Sequence, residues 1–336
     1  MIKPIDDLYV FAGSSNRPLA EAICRHLYVP LRPTTIARFS NDDLYIQLGE
    51  SVRSKDVFII QSLSAPASDH LLELLMMLDI ARSGGAASVN AVIPYYSYGR
   101  SDKKDEPRVC ITGGLVADLL RTAGAQRVIT MTLHSPQVHG FFQMPVDHLT
   151  AASVYVDHFR RLGVQGNPEA IVVSPDHGNS KRAQQLADAL GIGLAVGDKR
   201  RVSDEKVTVD RILGHHLDRV RHAIVFDDEI ATGGSIVEVV RILQRIGIPA
   251  FTIACTHGLF AGKAPARLRE LEGVREILST DTIAMSEATR AQMPGNFAVL
   301  SVASIFAKAI SCNYYGQSIG PLFEFWQAGH GDALSD

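Results

Sequence analysis

The stretch Ala223-Ile-Val-Phe-Asp-Asp-Glu-Ile-Ala-Thr-Gly-Gly-Ser-Ile236 decides how the chain reads. An apolar run, Ile224 to Phe226, has the composition of a buried strand and ends in two adjacent carboxylates, Asp227 and Asp228. Thr232-Gly233-Gly234-Ser235 follows, and then a helical pattern, Ile236-Val-Glu-Val-Val-Arg-Ile-Leu243. A strand that turns through glycines into a helix offers backbone N–H groups and the positive helix end to an anion. Hydroxyls at Thr232 and Ser235 add donors, and the carboxylates can accept from sugar hydroxyls. The layout predicts a ribose-phosphate site, with Asp227 and Asp228 on the sugar and Thr232, Gly233, Gly234 and Ser235 on the phosphate. An acidic turn capping an ordinary helix would explain one Asp and one Gly, but not the ordered set.

Working outward, short β-rich runs alternate with helical patterns along the whole chain, the mark of βαβ units around mostly parallel sheets. Strands are expected at Leu8–Ala12, Asp56–Gln61, Ser88–Pro94, Arg127–Leu133, Ala170–Ser174, Gly193–Val196, Ala223–Phe226, Ala250–Cys255 and Glu276–Thr280. Their near-continuous apolar character suits strands covered on both faces. Helices are expected at Asn16–His26, His70–Arg82, Ile111–Ala123, Ser180–Leu190 and Ser235–Ile246. The second of these is apolar almost all round, which predicts a buried packing helix. Both halves repeat the strand–helix order, so the expected fold is α/β with two similar domains, residues 1–149 and 150–336. The tail from Tyr314, with Phe323, Phe325 and Trp326, is expected to pack back on the N-terminal domain or between subunits rather than to be free.

Bulk properties narrow the function classes. A chain of 336 residues with 46% hydrophobic and 21% charged residues is that of a globular protein. A net charge of −3 gives no general attraction for nucleic acid or membrane surfaces. No signal-peptide pattern opens the chain and no apolar stretch is long enough to span a bilayer. Cys24, Cys110, Cys255 and Cys312 lie far apart without CxxC spacing, against zinc or a disulfide framework. A reducing, cytoplasmic setting is expected.

The second strong signal is Thr130-Met-Thr-Leu-His-Ser-Pro-Gln-Val-His-Gly-Phe-Phe-Gln-Met-Pro-Val-Asp147, where a strand delivers His134 at its carboxyl end. The segment resembles the phosphoribosyl pyrophosphate synthetases, whose pattern Asp-Leu-His-x-x-Gln-x-x-Gly-Phe-Phe-x-x-Pro-x-Asp it matches at every position but the first. The resemblance runs from Phe11-Ala-Gly-Ser-Ser to Phe323. It takes in Arg38-Phe-Ser-Asn-Asp-Asp43, Glu50-Ser-Val-Arg53, Tyr98-Gly-Arg-Ser-Asp-Lys-Lys-Asp105, Ser174-Pro-Asp-His-Gly178, Asp198-Lys-Arg-Arg201 and Thr256-His-Gly-Leu-Phe260.

The resemblance implies two phosphoribosyltransferase-type domains and transfer of pyrophosphate from Mg-ATP to ribose 5-phosphate. His134 and Asp176 would position the magnesium–ATP complex, with Mg2+ as the cofactor. Lys199 and Arg201, on a mobile loop from Asp198 to Asp210, would stabilise the transferring group. Phe39, Asn41 and Asp43 would contact adenine, and Arg100, Ser101 and Asp105 the rest of ATP. Ser51, Arg53, Arg108 and Ser318 match positions that bind phosphate or ADP allosterically between subunits, which implies a homo-oligomer, a hexamer built from dimers. Four residues depart from the family pattern at the site: Thr132 and Ala231 each stand in place of an Asp, Ser101 in place of a Gln and Asn179 in place of a Gly. A pyrophosphokinase with another sugar phosphate or donor, and a non-catalytic regulatory paralogue, remain open as readings. Singly, His139, His148, His158 and His177 read as satisfied polar residues.

Overall fold

The computed structural model describes residues 5–203, 206–214 and 217–323, the side chains of 199–203, 206–211, 321 and 323 excepted. Trp326 and Phe325 lie outside the described residues. Two compact units divide the chain: one runs to Thr150 and adds Thr282–Ala284 and Ser301–Phe323, the other holds Ala151–Asp281 and Met285–Leu300.

In the first unit the elements are β1 (Leu8–Ala12), α1 (Arg17–Leu27), β2 (Thr34–Arg38), β3 (Leu44–Leu48), β4 (Asp56–Ile60), α2 (Ala67–Ser83), β5 (Ser88–Ile93), α3 (Thr112–Ala123), β6 (Arg127–Met131) and β7 (Val146–Leu149). A parallel sheet runs β1-β4-β5-β6-β7 without reversal, and β2 and β3 form a separate hairpin. Asn16 starts α1 by accepting the Leu19 N–H at 3.3 Å, with a proline in the first turn where no N–H is needed. Helix α2 is not buried all round. It buries one stripe, Leu74, Met77, Leu78 and Ala81, and leaves Leu72 49% exposed.

The second unit comprises α4 (Ala152–Arg161), β8 (Ala170–Ser174), α5 (Ser180–Leu190), β9 (Gly193–Ser203), β10 (Lys206–Leu213), β11 (His222–Ile230), α6 (Gly234–Arg245), β12 (Ala250–Gly258), α7 (Ala264–Arg269), β13 (Val274–Thr280), α8 (Glu287–Gln292) and β14 (Phe297–Leu300). The chain then returns to the first unit as α9 (Ala303–Tyr315), where Asn313 donates to Asp147 at 2.7 Å. The sheet order is β10-β9-β8-β11-β12-β13-β14. Succession along the chain therefore reverses between β8 and β11, and in open α/β sheets the crevice at such a reversal is where ligands sit.

Helix α6 shows why this half folds as it does. Its buried residues Ile236, Val239, Val240 and Leu243 repeat at helical spacing and join one core with Val225, Phe251 and Ile253. Each such side chain contributes about 1.5–3 kcal/mol on burial. The core thus fixes the turn into α6 from below.

In its described part, the segment expected as a loop from Asp198 is strand backbone, with register shifts at Lys206/Val207 and Val209/Arg211. Strand β9 pairs with β8 only as far as Ser174↔Val196, and beyond that it pairs with β10 alone, as an antiparallel ribbon. β-Branched residues (Val202, Val207, Thr208, Val209) favour extended backbone there.

At the opposite, amino end of β11, His222 faces Thr252 Oγ1 at 2.9 Å. Burial, with the nearby Arg275 charge, pushes its pKa down from 6.5 to about 4. Between those values the unfolded chain binds a proton that the folded one refuses, so stability is full above about pH 6.5 and is lost as pH falls toward 4. His222→Gln is expected to flatten that part of a thermal-melting pH profile, and an unchanged slope would show that another group sets it.

Candidate active site

Strand β11 carries the acidic pair to the carboxyl end of the second sheet, between β8 and β12. Asp228 is 4% exposed and Asp227 half-buried, its Oδ1 accepting the Asp228 N–H at 2.9 Å. Burial, and then the Asp228 charge, push the Asp227 carboxyl well above the ordinary carboxylate range. Two carboxyl groups held this way present oxygens that can accept hydrogen bonds from neutral sugar hydroxyls.

The turn to α6 has the backbone features that can receive an anion. Gly233 is the N-cap with φ +73°, a left-handed conformation that a side chain would strain, and no side chain caps the helix. The first N–H groups of α6 therefore have no side-chain partner at the cap and are available to a ligand. Ala231 belongs to the turn through its backbone, since its carbonyl accepts the Ala261 N–H at 2.8 Å. An aspartate side chain is not needed to hold that geometry.

Across the topological reversal, the loop after β8 holds Asp176 next to this turn's strand. Asp176 Oδ1 accepts the Asn179 N–H at 3.2 Å, while Asn179 Nδ2 reaches over to the Phe226 carbonyl at 2.8 Å. Asn179, 2% exposed, thus ties the Asp176 loop to the residue just before Asp227. A glycine could not make that link. Asn179→Ala leaves the Phe226 carbonyl without this donor in a dry site, and a loss of about 1–3 kcal/mol in urea unfolding is expected. An unchanged midpoint would show that the link carries no stability.

Sequence reading missed Arg182, in the first turns of α5. Burial lowers its pKa while the charges of Asp228 and Asp227 raise it, which puts a cation within electrostatic reach of the acidic pair. An arginine closely following the Asp176 loop was the available signal. His177 faces Asp198, where the ribbon begins, at 3.8 Å. The backbones of Lys199 and Arg201 lie in that ribbon, paired with Val209 and Val207, and their side chains lie outside the described part of the structure.

The remaining candidates lie in the first unit. Phe39, Asn41 and Asp43 share the tip of the β2–β3 hairpin, where Phe39 N–H donates to the Asp43 carbonyl at 2.9 Å and Asn41 and Asp43 bond to each other. Phe39 is 57% exposed with its ring against the edge of Tyr45, an aromatic left available for stacking. His134, half-buried just beyond β6, lies against Gly99: a Cβ on Gly99 would stand 3.7 Å from the His134 backbone nitrogen. This brings Arg100 and Ser101 close to His134. The Ser101 hydroxyl is committed to its own loop, donating to the Cys110 carbonyl at 3.0 Å and accepting the Thr112 N–H at 3.0 Å. Asp105 is exposed and pairs with Lys103 at 3.2 Å. Thr132 is buried at φ +44°, a strained setting for a β-branched residue, worth about 1–2 kcal/mol. Ser51, Arg53, Arg108 and Ser318 are all exposed on this unit.

The first unit's own turn after β1 is filled from within. Glu73 accepts from Ser14 N at 3.0 Å, and Gln61 Nε2 donates to it at 2.7 Å. A carboxylate sits where the second unit leaves its N–H groups for a ligand. Two of the four single histidines are satisfied as expected: His148 accepts the Leu133 N–H and His158 pairs with Glu276. Among the described residues no three His, Cys, Asp or Glu side chains gather to hold a metal ion. Mg2+ takes carboxylate and phosphate oxygens and keeps waters, so the carboxylate of Asp176 is of a type that fits it.

An open parallel sheet with an acidic strand end and an uncapped glycine turn at its reversal defines an α/β protein of the phosphoribosyl-binding type. Residues 8–124 match the family model described as the N-terminal domain of ribose phosphate pyrophosphokinase. Over 316 residues the chain is 48% identical to a ribose-phosphate pyrophosphokinase of Deinococcus radiodurans, covering 94% of this chain and 98% of that one. It is 40% identical over 314 residues to that of Aquifex aeolicus, covering 94% and 98%. A solved phosphoribosylpyrophosphate synthetase from Mycobacterium smegmatis aligns with TM-score 0.81 and 34% identity, over 92% of this chain and 99% of that one. The chain belongs to the ribose-phosphate pyrophosphokinase family.

Proposed function

We propose that the protein transfers the β,γ-diphosphoryl group of Mg-ATP to the 1-hydroxyl of ribose 5-phosphate, giving 5-phosphoribosyl 1-pyrophosphate and AMP. The observation that carries the reading is the β11–α6 turn: Asp227 and Asp228 beside a helix start whose N-cap, Gly233, supplies no side-chain cap. The carboxylates bind the ribose hydroxyls and the turn from Thr232 to Ser235 binds the 5-phosphate.

In the step itself the sugar O1 attacks the β-phosphorus, the bond from that phosphorus to the bridging oxygen breaks, and AMP leaves. The hydroxyl proton is released to solvent. Charge spreads over the transferring oxygens, so positioned cations do most of the stabilising. Lys199 and Arg201 take that role, and the ribbon that carries them is tied to the sheet only through its base. Water excluded by the closed ribbon cannot compete with O1. On the nucleotide side Phe39 stacks on adenine, with Asn41, Asp43, Arg100, Ser101 and Asp105 on the rest. His134 and Asp176 position the phosphates, and Mg2+ supplies charge neutralisation there.

Phosphate bound at Ser51, Arg53, Arg108 and Ser318 regulates this chemistry, and a homo-oligomer built from dimers provides the setting. The exposed apolar residues of α2 and α3, Leu72, Leu115 and Leu119, support an oligomer. Sedimentation velocity should give a multiple of the dimer mass, and a monomer at micromolar protein would refute it. Cytoplasmic residence is part of the same reading. All four cysteines are free thiols, and no described helix is long and apolar enough to cross a membrane.

The test is a panel of initial rates with Mg2+, several sugar phosphates and several nucleotides. Turnover is expected to be fastest with ribose 5-phosphate and ATP. Turnover confined to another sugar phosphate would replace this reading, and none with any pair would refute it.

A further inference from the structure

We propose that Arg267 is a positioning residue for the sugar-phosphate turn, acting through the backbone that it holds. This rests on the function proposed above and extends it to a residue outside every motif read from the sequence.

The turn after β11 has three successive carbonyls, and the described structure gives each a partner from one segment. Ile230 O accepts from the N–H groups of Leu259 and Phe260, at 3.1 and 3.0 Å, and Ala231 O from that of Ala261 at 2.8 Å. Thr232 O accepts from Arg267 Nη1 at 2.9 Å. In a trans peptide the C=O and the following N–H point in opposite directions. Fixing these carbonyls toward residues 259–267 therefore turns the N–H groups of Ala231, Thr232 and Gly233 the other way. Successive N–H groups facing one concavity make an anion nest.

Two of the carbonyls are held by backbone, which any sequence could supply. The third, nearest the glycines, is held by a side chain. The clamp segment itself is strained in order to reach the turn: Phe260 adopts φ +44°, kept there by burial and an edge contact with Phe297. Arg267 also stands beside Gly234, with Nη1 3.9 Å from where a Cβ would be. Its charge thus lies next to the helix start that receives the phosphate, and its N–H fixes the peptide whose other end is Gly233. Loss of the side chain frees the Thr232–Gly233 peptide to rotate, and the nest loses one aligned donor.

Calorimetric titration of ribose 5-phosphate, and of ribose alone, into wild type, Arg267→Ala and Arg267→Lys tests this, alongside KM and kcat for each. Arg267→Ala should weaken ribose 5-phosphate binding and raise its KM by about tenfold, the worth of one charge-assisted hydrogen bond. The KM for ATP and the melting temperature should hold, and Arg267→Lys should recover part of the loss. Affinity for ribose 5-phosphate in Arg267→Ala equal to wild type would overturn the assignment. So would an equal rise in both KM values, or equal weakening for ribose alone, since either places the effect away from the phosphate. If wild type itself fails to bind ribose 5-phosphate, the proposed function falls, and this inference with it.

Discussion

Lys199→Ala and Arg201→Ala are each expected to lower kcat by about a thousandfold, with the dissociation constant of ribose 5-phosphate held within about threefold. The expectation follows from the chemistry of the step. A loose phosphoryl-type transition state gives the protein little covalent work, and its charge develops on oxygens that only positioned cations can meet. The backbone bearing both residues leaves the parent sheet after Val196 and continues as a two-stranded ribbon. A ribbon so attached can close over phosphates without disturbing β8, where the Asp176 loop begins. Rapid-quench measurement of AMP formation separates this step from product release. Lys199→Arg should recover only part of the rate, since a planar guanidinium and a compact ammonium present their charge differently. A fall in ribose 5-phosphate affinity that matches the fall in rate would mean that these residues bind the sugar phosphate instead.

Asp227→Asn and Asp228→Asn carry the second large effect, and it has two opposite parts. Each substitution removes a carboxyl acceptor for the ribose hydroxyls, so kcat/KM for ribose 5-phosphate should fall by about 10- to 150-fold, equivalent to about 1.5–3 kcal/mol. Folding stability without substrate should move the other way in Asp227→Asn. Burial and Asp228 both oppose ionisation of Asp227, so its folded-state pKa is raised. Above the carboxyl's unfolded value, about 4, the unfolded chain has released a proton that the folded chain prefers to keep, and stability falls as pH rises through that window. Asparagine removes this slope. Melting profiles from pH 4 to 8 should therefore be flatter and higher for Asp227→Asn. A variant that is both less active and less stable would point to simple misfolding.

Much of the fold was legible because buried strands and amphipathic helices announce themselves locally. Ala170–Ser174 and Ser180–Leu190 were expected with the bounds the structure has. Strand β11 was expected to stop at Phe226 but continues to Ile230, because parallel pairing with β12 carries the backbone through the acidic pair as far as Ile230↔Gly258. Charged residues at a strand end look like a turn in sequence. The β2–β3 hairpin had a readable signal that went unused, the alternation of Leu44-Tyr-Ile-Gln-Leu48. Likewise Asp198 to Asp210 is a loop only by the resemblance, and the β-branched Val207-Thr-Val209 is the local signal of a strand there.

The candidate site was legible where chemistry and order coincide in one stretch, as in residues 227–235. It was illegible where function depends on strand order or on contacts distant in sequence. Nothing local reveals that succession reverses between β8 and β11, which is what sets Asp176 beside the acidic pair. Asn179 stands out in sequence only as a departure from a Gly, yet its amide spans 47 residues to reach the Phe226 carbonyl. Arg267 reaches the Thr232 carbonyl across 35 residues and has no motif around it.

The most direct test of the account follows the label from [γ-32P]ATP incubated with Mg2+, ribose 5-phosphate and the wild-type protein. A diphosphoryl transfer puts the label into the sugar product, with unlabelled AMP formed in equal amount and ADP absent. Label released as inorganic phosphate with accumulating ADP, or a monophosphorylated sugar product, would contradict it.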